Sequence, residues 1–115
     1  MHAKVIPTIV FEKLINDLIK KRKVALKDFE DLKKLLNTTP ERGDLITSTG
    51  GLRKIRLKST SKGKSGGFRV CYYYDPKNYE VFLIWVFPKA DQENLTTEEK
   101  KDLKAFVEII KRKSR

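Results

Sequence analysis

Apolar positions recur along this chain with two different periods, and the changes of period mark out its elements. Val5 to Phe11 is a β-branched, apolar run that reads as a strand, and Pro7 within it favours a sheet edge because it has no N–H to offer a neighbour. Phe11, Leu14, Ile15, Leu18 and Ile19 then recur at helical spacing. The run Lys20-Lys21-Arg22-Lys23 closes that helix, where cations suit the negative end. Leu26, Phe29, Leu32, Leu35 and Leu36 predict a second amphipathic helix that ends before Pro40. Arg42-Gly43-Asp44 and Ser48-Thr49-Gly50-Gly51 are loops around a short segment, Leu45 to Thr47.

Strands are predicted next over Leu52 to Lys58, Gly67 to Tyr74 and Tyr79 to Phe87. A Gly/Ser/Lys turn joins the first two, and the tight turn Asp75-Pro76-Lys77-Asn78 joins the last two. Val81 to Phe87 is apolar at every position, the pattern of an interior strand covered on both faces. Thr96 and Glu99 have the spacing of a capping box ahead of a last helix, whose buried stripe is Leu103, Phe106, Val107 and Ile110. The order β-α-α-β-β-β-α predicts an α+β fold: a small antiparallel sheet with two N-terminal helices and one C-terminal helix packed on it. At this length the expectation is one domain over residues 1–115.

Charge adds what the apolar pattern lacks. Lys and Arg number 26 against 15 Asp and Glu, a net charge of +11, which speaks about partners rather than fold. Nucleic acid is the first partner class and an anionic membrane surface the second. No apolar run approaches the roughly 20 residues of a spanning helix. Ala3-Lys4-Val5-Ile6-Pro7 leads into a stretch interrupted by Glu12 and Lys13, which is not a signal-peptide pattern. Cys71 has no partner for an internal disulfide, which fits a reducing cytoplasm, and its place in an apolar strand assigns it to the core. With one Cys and one His, the terminal His2, neither a zinc site nor a Cys-His nucleophile is expected.

The positive charge is concentrated. Between Asp44 and Asp75 there is no acidic residue, yet Arg53, Lys54, Arg56, Lys58, Lys62, Lys64 and Arg69 all fall there. Period-two geometry puts Arg53, Ile55 and Leu57 on one face and Lys54, Arg56 and Lys58 on the other, the latter spaced about 7 Å apart. On the partner strand Arg69 lies with Cys71 and Tyr73, flanked by apolar residues, where a guanidinium is placed for a fork-like contact with phosphate. Lysines on an edge strand also guard against aggregation, and Lys62 and Lys64 in the turn fit that role as well as they fit a clamp. Lys54, Arg56 and Arg69 fit it poorly, because like charges stacked across neighbouring strands cost stability unless a ligand compensates.

No P-loop, dinucleotide fingerprint or Ser-His-Asp set is present, and no cofactor is expected. Cleavage of RNA by its own 2′-hydroxyl needs none of these. It needs an in-line geometry, a group that takes the hydroxyl proton, a group that protonates the leaving oxygen, and positive charge at the phosphorane. A lysine crowded by like charges has its charged form disfavoured, which brings it toward proton transfer.

The stretches Gly43-Asp44, Gly50-Gly51-Leu52-Arg53-Lys54-Ile55-Arg56, Gly63-Lys64-Ser65-Gly66-Gly67-Phe68-Arg69-Val70 and Tyr72-Tyr73 resemble the HigB-like branch of the RelE superfamily of bacterial toxins. The likeness continues through Lys89, Gln92-Glu93 and Leu95-Thr96 into Leu103-Lys104-Ala105-Phe106. It implies a compact sheet-and-helix fold and a ribosome-dependent endonuclease that cuts mRNA in the A site. It also implies a cognate antitoxin with a helix-turn-helix domain. By position, it implies that Lys54, Arg56 and Arg69 surround the scissile phosphate, that Lys89 is a further basic residue near the site, and that Arg53 and Lys64 help bind RNA. Lys58 and Lys62 join that RNA-binding set.

The chain departs from the family pattern after its last strand. Where relatives show a small residue, then Lys, Asn and Glu, it has Pro88-Lys89-Ala90-Asp91, and no tyrosine follows Tyr79. The general acid is then either Lys89 or a ribosomal group. Asp91 and Glu93 either orient Lys89 or serve as turn residues. Two other functions fit the composition: a non-enzymatic toxin of the ParE type that poisons DNA gyrase by binding, and a basic RNA-binding module without toxicity.

Overall fold

The computed structural model describes residues 2–58, 67–89, 92 and 94–113. Lys62 and Lys64, along with Ala90, Asp91 and Glu93, lie outside the described residues. The elements run β1 (Lys4–Pro7), α1 (Ile9–Lys20), α2 (Leu26–Thr38), β2 (Asp44–Leu45), β3 (Leu52–Leu57), β4 (Phe68–Asp75), β5 (Glu80–Pro88) and α3 (Thr97–Lys113). The α+β class and the two-plus-one arrangement of helices are as expected.

The sheet departs from the all-antiparallel expectation. Its order is β1-β5-β4-β3-β2, and β1 pairs with β5 in parallel, Lys4 opposite Glu80 and Pro7 opposite Leu83. Only strands joined by a tight turn must be antiparallel, and β1 reaches β5 after two helices and three strands. Pro7 does sit on an edge strand. The strand predicted to reach Phe11 stops at Pro7 because Thr8 caps α1, its hydroxyl accepting from the Phe11 N–H at 3.2 Å. At the far edge, β2 begins at Asp44 rather than Leu45 and is only two residues long.

Each face of the sheet carries its own apolar cluster. Against α1 and α2 lie Phe11, Ile15, Leu32, Leu36, Leu57, Val70, Tyr72, Val81 and Leu83, most of them fully buried. Against α3 lie Leu52, Cys71, Tyr73, Ile84, Phe87, Leu95, Val107 and Ile110. Cys71 is thus a core residue, as its setting predicted. β5 is paired on both sides and runs apolar throughout, but it changes phase midway. Cys71 faces Trp85 while Tyr72 faces Leu83, a bulge that inserts one residue and lets Ile84 and Phe87 both face α3.

Local chemistry fixes the ends of the elements. The Thr96–Glu99 capping box forms as predicted: the Thr96 N–H donates to Glu99 Oε1 at 2.9 Å and the Glu99 N–H to Thr96 Oγ1 at 3.1 Å. Burial of Thr49 beneath the loop before β3 lets its hydroxyl donate to Ile46 O and accept from the Leu52 N–H. Gly51, at φ +113°, completes that turn in a conformation a side chain would strain. No helix among the described residues is long and apolar enough to cross a membrane.

Leu83 is fully buried between β1, β4 and α1. Replacing it with alanine should cost about 2–5 kcal/mol by loss of buried surface and the cavity left behind. Urea unfolding followed by the fluorescence of the single tryptophan, Trp85, measures that loss.

Candidate active site

β3 and β4 pair so that Lys54 faces Cys71, Arg56 faces Arg69 and Leu57 faces Phe68. Directly opposite residues share a face, so Lys54, Arg56 and Arg69 converge on the α3 side of the sheet. β2 covers β3 only at Arg53 and Lys54. Beyond that point β3 forms one wall of a groove of about 840 Å³ running toward α2. Lys54, Arg56, Lys58 and Arg69 line it, with Leu32, Leu35, Ile55 and Leu57 as its apolar part and Asp28, Asp31 and Asp44 as its carboxylates.

Arg69 is half-buried, and its Nε is enclosed without a hydrogen-bond partner among the described residues. A buried donor left unmatched costs free energy that an anion in the groove would recover. Arg56 is exposed and directly across from it. Lys54 is half-buried, and its Nζ donates to Asn94 Oδ1 at 3.0 Å. That contact continues back to α3: Gln92 Nε2 donates to the Asn94 carbonyl at 2.9 Å and to Glu99 Oε1 at 2.8 Å. The backbone N–H of Thr96, above all, holds the Glu99 carboxyl below its ordinary range. A capping box at the start of α3 therefore also positions the amide that holds Lys54.

Arg53 stands apart from this cluster. It lies on the α1/α2 side, where its guanidinium donates to Glu41 O at 3.0 Å and Gly43 O at 2.6 Å and lies 3.9 Å from the Glu41 carboxylate. Its bonds hold a loop rather than point into the groove. Lys58, exposed at the end of β3, does line the groove. Lys89 does not line it. Its backbone N–H donates to Gly67 O at 3.0 Å, just past the Phe68–Pro88 pair.

The 40–44 loop is fixed by contacts that sequence spacing does not announce. The Gly43 N–H donates to Tyr72 Oη at 2.8 Å, and Tyr72 Oη donates to Pro40 O at 2.8 Å. Burial pushes the Tyr72 phenol up, which keeps its proton available for Pro40. A Cβ at Gly43 would sit 2.8 Å from Lys54 O and from Tyr72 Oη, so no other residue fits without displacement. Asn94 likewise escaped sequence reading, since it is 40 positions from Lys54 and is neither charged nor aromatic.

Comparison with known proteins agrees with this architecture. Residues 10–115 match the family described as the RelE toxin of the RelE/RelB toxin-antitoxin system. Among solved structures, the chain is similar to a double arginine-to-alanine mutant of the Escherichia coli toxin RelE in the free state. That match has 22% identity and a TM-score of 0.51, covering 81% of this chain and 90% of that one. At that identity the likeness concerns the fold.

Gly43→Ala should destabilise the protein by about 1–3 kcal/mol through overpacking against Lys54 and Tyr72. Tyr72→Phe should cost about 1–3 kcal/mol by leaving the Gly43 N–H unmatched; urea titrations of both variants test this. Burial pushes the Cys71 thiol up to about 12, with Lys54 opposing. A folded-state value raised above the unfolded one favours the protonated thiol in the native chain. That contribution is complete below the unfolded value, near pH 9, and is lost as pH rises to about 12. Stability measured from pH 8 to 11 should therefore fall less steeply in Cys71→Ala than in the wild type.

Proposed function

The chain belongs to the RelE toxin family, and on that premise we propose that it is a ribosome-dependent mRNA endonuclease that inhibits translation. The observation that carries this reading is the convergence of Lys54, Arg56 and Arg69 in one groove, with Arg56 directly opposite Arg69 and the Arg69 Nε unmatched. A protein that acted by binding alone would gain little from holding like charges at that spacing, since they destabilise the sheet that carries them. A scissile phosphate offers the missing counter-charge. Its pentavalent form carries more negative charge than the ground state, so fixed cations favour the transition state over the substrate.

The reaction needs no metal. The RNA 2′-oxygen attacks the adjacent phosphorus, the P–O5′ bond breaks, and the products are a 2′,3′-cyclic phosphate and a 5′-hydroxyl. Arg69 and Arg56 bind the non-bridging oxygens, and Lys54, held by Asn94, adds charge on the same side. Lys58 extends the contact along the backbone, and Lys62 and Lys64 belong to the same RNA-binding set. Lys89 or a ribosomal group protonates the leaving oxygen. The HigB-like motif around Gly50-Gly51 and Arg69 supports placing the protein in that branch, read as a single toxin domain over residues 1–115. It works in the cytoplasm at the ribosomal A site, and a helix-turn-helix antitoxin is its partner.

In a purified translation system the protein should create new 5′ ends within codons, detected by primer extension. A message carrying a 2′-deoxy nucleotide at the cut site should survive. Arg69→Ala should lower the single-turnover rate by about 10²-fold or more. No cuts by wild-type protein with ribosomes present overturns the reading, and DNA damage signalling on induction without mRNA cuts would point to gyrase instead.

A further inference from the structure

An acid-free run of sequence hides a carboxylate that the fold returns to the site. Asp44, the residue at the run's edge, forms β2 and pairs directly with Lys54. Its side chain therefore shares the face of Lys54, Arg56 and Arg69, and it lines the same groove. The other two carboxylates of that groove are committed elsewhere. Asp28 is buried and accepts from the Ala25 N–H at 3.2 Å, capping α2. Asp31 is bound to Lys27 Nζ at 2.9 Å, a contact that holds its carboxyl below the ordinary range. Asp44 is exposed, and no hydrogen bond or ion pair reaches its carboxylate among the described residues. Its cross-strand neighbour Lys54 turns instead to Asn94.

Resting on the endonuclease reading above, we propose that Asp44 is the general base of the reaction: its carboxylate takes the proton of the RNA 2′-hydroxyl as that oxygen attacks phosphorus. The O2′–P bond forms as the P–O5′ bond breaks, the leaving oxygen gains a proton from its own donor, and Asp44 returns the captured proton to solvent. Lys54 is then a fixed charge and not the proton acceptor. It is already the donor to Asn94 Oδ1, whereas the Asp44 carboxylate offers acceptor oxygens on the same face.

The backbone before Asp44 is unusually constrained, as a base must be. Tyr72 holds the Gly43 N–H, Arg53 holds the Gly43 carbonyl, and the space for a Cβ is filled by Lys54 O and the Tyr72 ring. The charges facing Asp44 come from several parts of the fold. Lys54 and Arg56 approach from β3, Lys58 from just past its end and Arg69 from β4, with Arg42 on the loop before β2 and Asp28 and Asp31 across the groove on α2. The Tyr72 phenol is close enough to feel the Asp44 charge.

The test is single-turnover cleavage of ribosome-bound mRNA by wild type, Asp44→Asn and Asp44→Glu over a range of pH. Asp44→Asn should lose about 10²- to 10⁴-fold in rate with unchanged affinity for the ribosome. Its residual rate should climb about tenfold per pH unit as hydroxide replaces the missing base, while the wild-type rate stays nearly flat. Asp44→Glu should recover part of the loss and the flat profile. A merely structural Asp44 would give a lower rate with the wild-type profile, and that result overturns the proposal, as does an Asp44→Asn variant of undiminished rate. Wild-type protein that does not cut at all defeats the endonuclease reading. Asp44 can then be checked as the carboxylate opposite the anion site: inorganic phosphate should bind Asp44→Asn more tightly than wild type, and equal binding would show that it does not face that site.

Discussion

The register between β3 and β4 sets everything this protein can do with an anion. One residue of slip would part Arg69 from Lys54 and Arg56 onto the other side of the sheet, because successive side chains alternate. The pairing that unites them also sets Arg56 against Arg69, which opposes folding. It holds because the intervening positions are anchored on both faces. Leu57, Phe68 and Val70 are buried under α1 and α2, while Leu52, Cys71 and Tyr73 are buried under α3. Two apolar clusters thus fix a strained electrostatic arrangement that neither would tolerate alone.

A second constraint works at right angles to the first. The 40–44 loop could hang loosely off a two-residue edge strand, yet Tyr72 and Arg53 reach it from inside the sheet and close on Gly43. Arg53 thereby serves the cation cluster from the opposite face, by shaping the wall that Lys54 stands beside. On the other flank, the capping residues of α3 extend through Gln92 and Asn94 to the Lys54 ammonium. The groove is therefore framed by one loop before it in sequence and one long after it.

Most of the fold was legible because it is written in local periods. The helical spacing from Phe11 to Ile19, the Leu26–Leu36 stripe and the Thr96/Glu99 box all became the elements they predicted. The parallel pairing of β1 was not legible, since it depends on a contact between residues such as Val5 and Val81 that no short-range rule connects. In the site, alternation correctly gathered Lys54, Arg56 and Arg69, which needs only a strand and a hairpin. It also put Arg53 on the opposite face, but it gave no sign of the backbone carbonyls that hold the guanidinium there. Asn94 and Asp44 were invisible for a different reason: one is an uncharged residue brought in from the other end of the domain. The other was passed over because it marked the boundary of a charged run that it in fact joins.

The bulge opposite Cys71 bears on how freely such a chain can vary. β5 reads as an unbroken apolar string in which any one residue looks dispensable, but its two halves are out of phase. Regular alternation straight through Ile84 and Trp85, without the bulge, would swing Phe87 from the α3 side to the other. The approach to Pro88 and Lys89 would rotate with it. A sequence lineage can exchange the apolar side chains of this strand for one another, yet it cannot iron out the bulge at this length without dismantling the end of the sheet beside Arg69.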